Sequence, residues 1–107
     1  MNSIDLVIDG HKWRVREYYA LTALGSTYIV PKGSETNGPF IFGSDARIWT
    51  GAAVHDWLCS DRSVAVTRLQ ADKISFDLHE QFGVPRWKSI ILFLGARAFG
   101  WLTWNDR

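Results

Sequence analysis

Cys59 is the only cysteine in this chain of 107 residues, so no disulfide can form within it. Nothing in its cysteine usage calls for an oxidising compartment. Neither sign of charge dominates: twelve Lys and Arg against eleven Asp and Glu leave a net +1. The basic residues are scattered, which removes the electrostatic argument for binding nucleic acid or an anionic membrane. The opening residues, MNSIDLVIDG, carry two acids and no apolar stretch, so no secretory signal is expected. The longest apolar run, IILFLGARAFGWLTW at 90–104, contains Arg97 and falls short of the ~20 residues that cross a bilayer. A buried central helix, with no transmembrane span, is the expectation there. Internal repeats, low-complexity tracts and linkers are missing as well.

What remains is a globular composition, 47 % hydrophobic with six Trp, of a length suited to one domain over 1–107. The expected fold class is α+β: a small N-terminal antiparallel sheet of two or three strands, then three helices, the first two an antiparallel pair. Residues 1–31 read as strands. IDLVI (4–8) ends at the Asp9-Gly10 turn signal, WRVREYY (13–19) alternates, and STYIVP (26–31) is closed by Pro31. Residues 31–47 hold two Pro and three Gly within PKGSETNGPFIFGSD and read as an irregular loop. A loop that long in a small domain is more often functional than idle. Helices are expected near 48–59, near 63–82 with Ser60 or Ser63 as cap, and from about Pro85 to 104.

The segment AAVHDWLC (52–59) poses the chemical question. His55 and Asp56 sit among apolar neighbours, and both lose hydration unless something repays them. Gly51, Ala52 and Ala53 leave little bulk N-terminal to His55, so a second helix can approach closely. On that second helix Ala65, Leu69, Asp72 and Phe76 share one face, with Asp72 interrupting an apolar stripe. Ala71, Ile74, Leu78 and Phe82 line the other side. The economical arrangement has Asp72 bonded to a ring nitrogen of His55, which fixes the tautomer and leaves the other nitrogen as a general base. Asp56 could hold a hard cation through its oxygens. The competing reading is a buried His–Asp pair that only joins two helices. His55 and Cys59, four apart, have metal-ligand spacing, with Asp72 or His79 as supplements, and also form a candidate nucleophile pair. His11 and His79 read as surface residues. Ser34, Thr36 and Ser44 lie in the long loop outside any nucleophile motif.

In order along the chain, VPKGSETNGP, AAVHDWLC, RLQADKISFDL and the glycine-containing last helix resemble the bacteriophage proteins grouped as domain-of-unknown-function family 1353. That resemblance spans roughly 26–104, and its most specific parts are His55-Asp56 and Arg68…Ala71-Asp72. Asn37 stands where the pattern has Asp, and Cys59 where it has Tyr. The His-Asp…Ala-Asp arrangement is also similar to the two-helix core of phospholipases A2. That similarity implies His55 as the base activating water, Asp72 as the carboxylate orienting it, and Asp56 as a calcium ligand, with Thr36 and Asn37 in the loop beside the site. Calcium is thus the cofactor implied, though an uncharged Asn37 predicts weak binding or none. Two functions follow as expectations. One is an ester or lipid hydrolase in a virion or host cytoplasm. The other is a non-catalytic tail, baseplate or host-interaction protein, partnered by phage structural proteins or a host protein, in which the His–Asp–Asp cluster is structural.

Overall fold

The computed structural model describes residues 3–10, 12–61 and 63–104, with backbone alone for Asp9 and 99–104. His11 lies outside the described residues. The fold is α+β: antiparallel strands lead into three helices, the first two packed as a pair. The elements are β1 (Leu6–Asp9), β2 (Lys12–Val15), β3 (Tyr19–Ala23), β4 (Ser26–Val30), β5 (Glu35–Thr36), α1 (Ala46–Ser60), α2 (Arg68–Gln81) and α3 (Arg86–Trp104).

The strands form two sheets, ordered β1-β2-β5 and β3-β4, where one sheet of two or three strands was expected. The run 13–19 is not one strand. It bends after Val15, and Tyr19 opens a separate hairpin whose turn puts Leu24 at φ 50° and Gly25 at φ 78°. A leucine in the left-handed region is disfavoured. Here the Leu24 N–H is held by Asp77 Oδ2 at 3.2 Å, and Gln81 Nε2 donates to Thr22 O at 2.8 Å. Tertiary bonds to α2 therefore support a turn that local propensity would not choose. The loop 31–47 also contains a short strand. β5 pairs with β2, Trp13 opposite Thr36, and Glu35 bridges Lys12 (3.2 Å) and Arg14 (2.7 Å).

Helix ends follow local chemistry. Asp45 caps α1 by accepting from the Arg47 N–H. α2 starts at Arg68 rather than near 63, because Thr67 and Gln70 form a reciprocal capping box. Ser60 instead ends α1, and Ser63 turns back onto Asp61 Oδ1. Val15, Leu21 and Val30 from the strands meet Val54, Leu58, Ile74 and Leu78 in one core. The central helix is α2, which packs against both α1 and α3. α3 lies outside it, with Trp87 and Leu94 exposed, because its apolar residues run around more of its circumference than one neighbour can cover. No described helix is long and apolar enough to cross a membrane.

His79 is buried, contrary to the surface position expected, because it shares the side of α2 that packs against α1. Its ring lies over Gly51, where an added Cβ would stand 2.1 Å from Nε2. Gly51→Ala gains ~1 kcal/mol of helix propensity but incurs overpacking of about 1–3 kcal/mol, so urea unfolding should show net destabilisation. In a His79→Ala background the same change should stabilise. A stabilising Gly51→Ala in the otherwise unaltered chain would mean that the ring moves aside freely.

Candidate functional site

α1 and α2 run antiparallel, since His55 meets Asp72 while Gly51 meets Ser75, whose Oγ donates to Gly51 O at 3.2 Å. The small residues 51–53 allow that approach, as the sequence suggested. His55 Nε2 lies 2.5 Å from Asp72 Oδ1, in direct hydrogen-bond contact. Asp72 is 1 % exposed. Its second oxygen accepts from Arg97 Nη1 at 2.9 Å, and Arg68 Nη1 in turn reaches Arg97 O at 3.2 Å. The carboxylate at the middle of α2 thus takes one cationic donor from each flanking helix.

Arg97 was missed as a site residue. Its signal was present: a lone arginine inside an apolar run needs an anion, and Asp72 was a lone acid inside an apolar stripe. Sequence spacing cannot join residues on different helices, so the match appears only in the fold.

Cys59 Sγ is 3.7 Å from His55 Nε2 and 3.8 Å from Nδ1. Near-equal distances put the sulfur beside the ring rather than in line with either nitrogen, which is poor geometry for a nucleophile–base pair. Nδ1 has no oxygen partner among the described residues. Burial disfavours the charged ring, but the hydrogen bond to Asp72 and the nearby sulfur outweigh it and push His55 up to about 10. His55 is therefore an imidazolium at neutral pH. Burial pushes His79 the other way, to a neutral ring.

Asp56 points away from this pair. Its Oδ2 accepts from Thr36 Oγ1 at 2.5 Å and from the Asn37 N–H at 3.4 Å, while Thr36 Oγ1 accepts from the Gly38 N–H at 3.0 Å. Burial raises its carboxyl, opposed by the Thr36 hydroxyl. These residues do not fit calcium. The Asp56 oxygen nearest the loop is already bonded to protein donors. Among the described residues no three His, Cys, Asp or Glu converge on a metal position. Asp56, Thr36 and Asn37 instead tie the loop to α1.

That loop helps to enclose a pocket of about 320 Å³ beside His55. Its walls are apolar, with Phe40, Ile48, Phe76, Leu92 and Phe93, and His55, Asp56, Asp72, Ser75 and His79 supply the polar groups. Phe40 reaches across to α3, where a Cβ on Gly95 would meet its ring at 2.4 Å.

Residues 13–96 match a family described as a protein of unknown function (DUF1353). The match covers most of the chain, including both halves of the site, and the chain belongs to that family. No curated protein and no solved structure matches it.

The two histidines give stability opposite pH dependences. His79 binds its proton more weakly folded than unfolded, so its contribution is lost as pH falls below the unfolded value near 6.5. His55 binds its proton more tightly folded, so its contribution is complete below 6.5 and disappears as pH rises toward about 10. Thermal unfolding across pH 5–10 should therefore show a maximum near neutrality. His55→Gln should flatten the alkaline limb and His79→Gln the acid limb. An alkaline limb unchanged in His55→Gln would show that the ring is not held protonated.

Proposed function

We propose that this protein is a small ester or lipid hydrolase in which His55 handles the proton and Asp72 holds the ring. The observation that supports this most is the apolar pocket opening beside a His–Asp pair whose second ring nitrogen has no oxygen partner among the described residues. Apolar walls with a few convergent polar groups suit an acyl chain and its reacting carbonyl. In the proposed step His55 Nδ1 accepts a proton from water as the water oxygen bonds to the ester carbon. The ester C–O bond then breaks, and the imidazolium returns the proton to the departing alkoxide. Asp72 stabilises the imidazolium. No calcium enters this scheme. The resemblance to bacteriophage proteins supports placing the activity on a virion or in the host cytoplasm.

The structural alternative has its own observation. Asp72 is bonded by both His55 and Arg97, so the cluster joins three helices whether or not it turns over a substrate. Asp72→Asn separates the two. It keeps the shape while removing the charge that supports the imidazolium.

Because His55 is protonated up to about 10, hydrolysis by the unaltered protein should climb through neutral pH and level off near that value. Proton release from medium-chain triglyceride and phospholipid micelles, followed by pH-stat titration, would show it. His55→Gln should be inactive, and Asp72→Asn should lose on the order of 10⁴ in rate, as the equivalent change does in serine-protease triads. A folded, unaltered protein that hydrolyses none of these substrates would leave the helix-joining role.

A further inference from the structure

The proposed chemistry uses His55 and Asp72 but leaves His79 unexplained. Its side chain is 3 % exposed and lines the same pocket, and neither ring nitrogen has a hydrogen-bond partner among the described residues. The Ile48 backbone lies beside the ring and favours its protonated form, without meeting hydrogen-bond geometry at either nitrogen. A buried donor and acceptor left unpaired are destabilising. The ring also occupies space that is open only because residue 51 is glycine. An apolar side chain would fill that space without the polar penalty, so the polarity itself needs an account.

Helix geometry locates His79 relative to the reacting end. It follows Asp72 by seven residues, ~10.5 Å along α2 on the same side. On α1, Gly51 beneath the His79 ring precedes His55 by four residues, ~6 Å. The two imidazoles therefore stand roughly 6–10 Å apart along one pocket. Ala52 and Phe76 line the stretch between them.

We propose that the pocket takes an acyl chain bearing a hydroxyl or carbonyl oxygen partway along it, and that His79 recognises that oxygen. The inference rests on the ester-hydrolase reading for the identity of the site. At ~1.2 Å of reach per extended bond, the separation corresponds to about five to eight bonds from the reacting carbonyl. A neutral imidazole donates from one nitrogen and accepts at the other, so a hydroxyl can pair with either. An unsubstituted hydrocarbon leaves the ring unpaired. Sites built around a substrate oxygen reject analogues that lack it far more strongly than they reject a missing methylene.

The test uses two methyl ketones that cannot be hydrolysed, octan-2-one and 8-hydroxyoctan-2-one. Each is titrated into the full chain labelled with ¹⁵N-histidine, and the imidazole nitrogen shifts are followed. The hydroxyketone should bind at least tenfold more tightly and move the His79 resonances. His79→Leu should reverse the preference and His79→Gln should retain part of it, while the wild-type shifts decide the matter should either variant unfold. Equal affinities, no saturable binding of either ketone, or a hydroxyl preference that survives in His79→Leu would each overturn the inference. Neither ketone turns over, so the outcome is separable from catalysis. Ester hydrolysis without His79-dependent hydroxyl preference defeats this inference alone. His79-dependent binding without any hydrolysis defeats the hydrolase reading and leaves His79 as the recognising residue.

Discussion

Asp72 is a carboxylate without solvent exposure in the middle of the central helix, and it dictates how the three helices meet. An ionised carboxylate is tolerated in such a place only when paired and hydrogen-bonded. One oxygen is held by His55 from α1 and the other by Arg97 from α3. Neither flanking helix can slide along α2 without stripping a partner from a buried charge, an event that typically costs 3–5 kcal/mol. Apolar contacts supply most of the adhesion between these helices, but they permit several registers. The shared carboxylate selects one.

The strands and loop then matter for what they bring to that junction. His55 and Asp56 are consecutive on α1, about 100° apart around the helix, and they serve different neighbours. His55 faces α2, whereas Asp56 faces the loop and holds Thr36 at the end of β5. β5 is anchored in turn by β2 and by the Lys12 and Arg14 bridges to Glu35. A chain fixed at Thr36 delivers Phe40 onto α3, where Gly95 leaves room for its ring. The pocket therefore has one wall built on helices and another carried by the loop that leaves the small sheet and is tied to α1 through Asp56.

The helical half of the fold was legible because its signals are local. The 3.6-residue stripe on α2, the start of the last helix at Pro85 and the bulk-free patch at 51–53 all act within a few turns. The Thr67–Gln70 capping box was not read, because Ser60 and Ser63 offered competing caps nearer the end of α1. The second sheet was not readable, since the Leu24-Gly25 turn depends on Asp77 and Gln81 more than fifty residues away. In the site, the pairing of His55 with Asp72 followed from two lone polar residues on facing stripes. Arg97 and His79 were harder for one reason: each is defined by a partner on another element, an acid in one case and a glycine in the other. His79 in particular lies beside Asp77 and Glu80 in sequence, although its spacing of seven from Asp72 and three from Phe76 puts it on the face expected to meet α1.

The same cluster can join helices and move protons, so what distinguishes the two roles is the space around it. Two helices that needed only to be fastened would gain from filling that space, because every unfilled volume forfeits dispersion contacts. Here small residues such as Ala52 and Ala96 share the lining with His55, and the larger side chains form the walls of a pocket of about 320 Å³. The polar groups inside are not distributed for adhesion either. Among the described residues His55 Nδ1 and both His79 nitrogens have no oxygen partner, while each oxygen of Asp72 is bonded to a neighbouring helix. A rigid anchor beside polar groups that line an apolar hollow is how a fold positions functional groups. It is this division of labour, more than the His–Asp contact itself, that favours a site which receives a ligand.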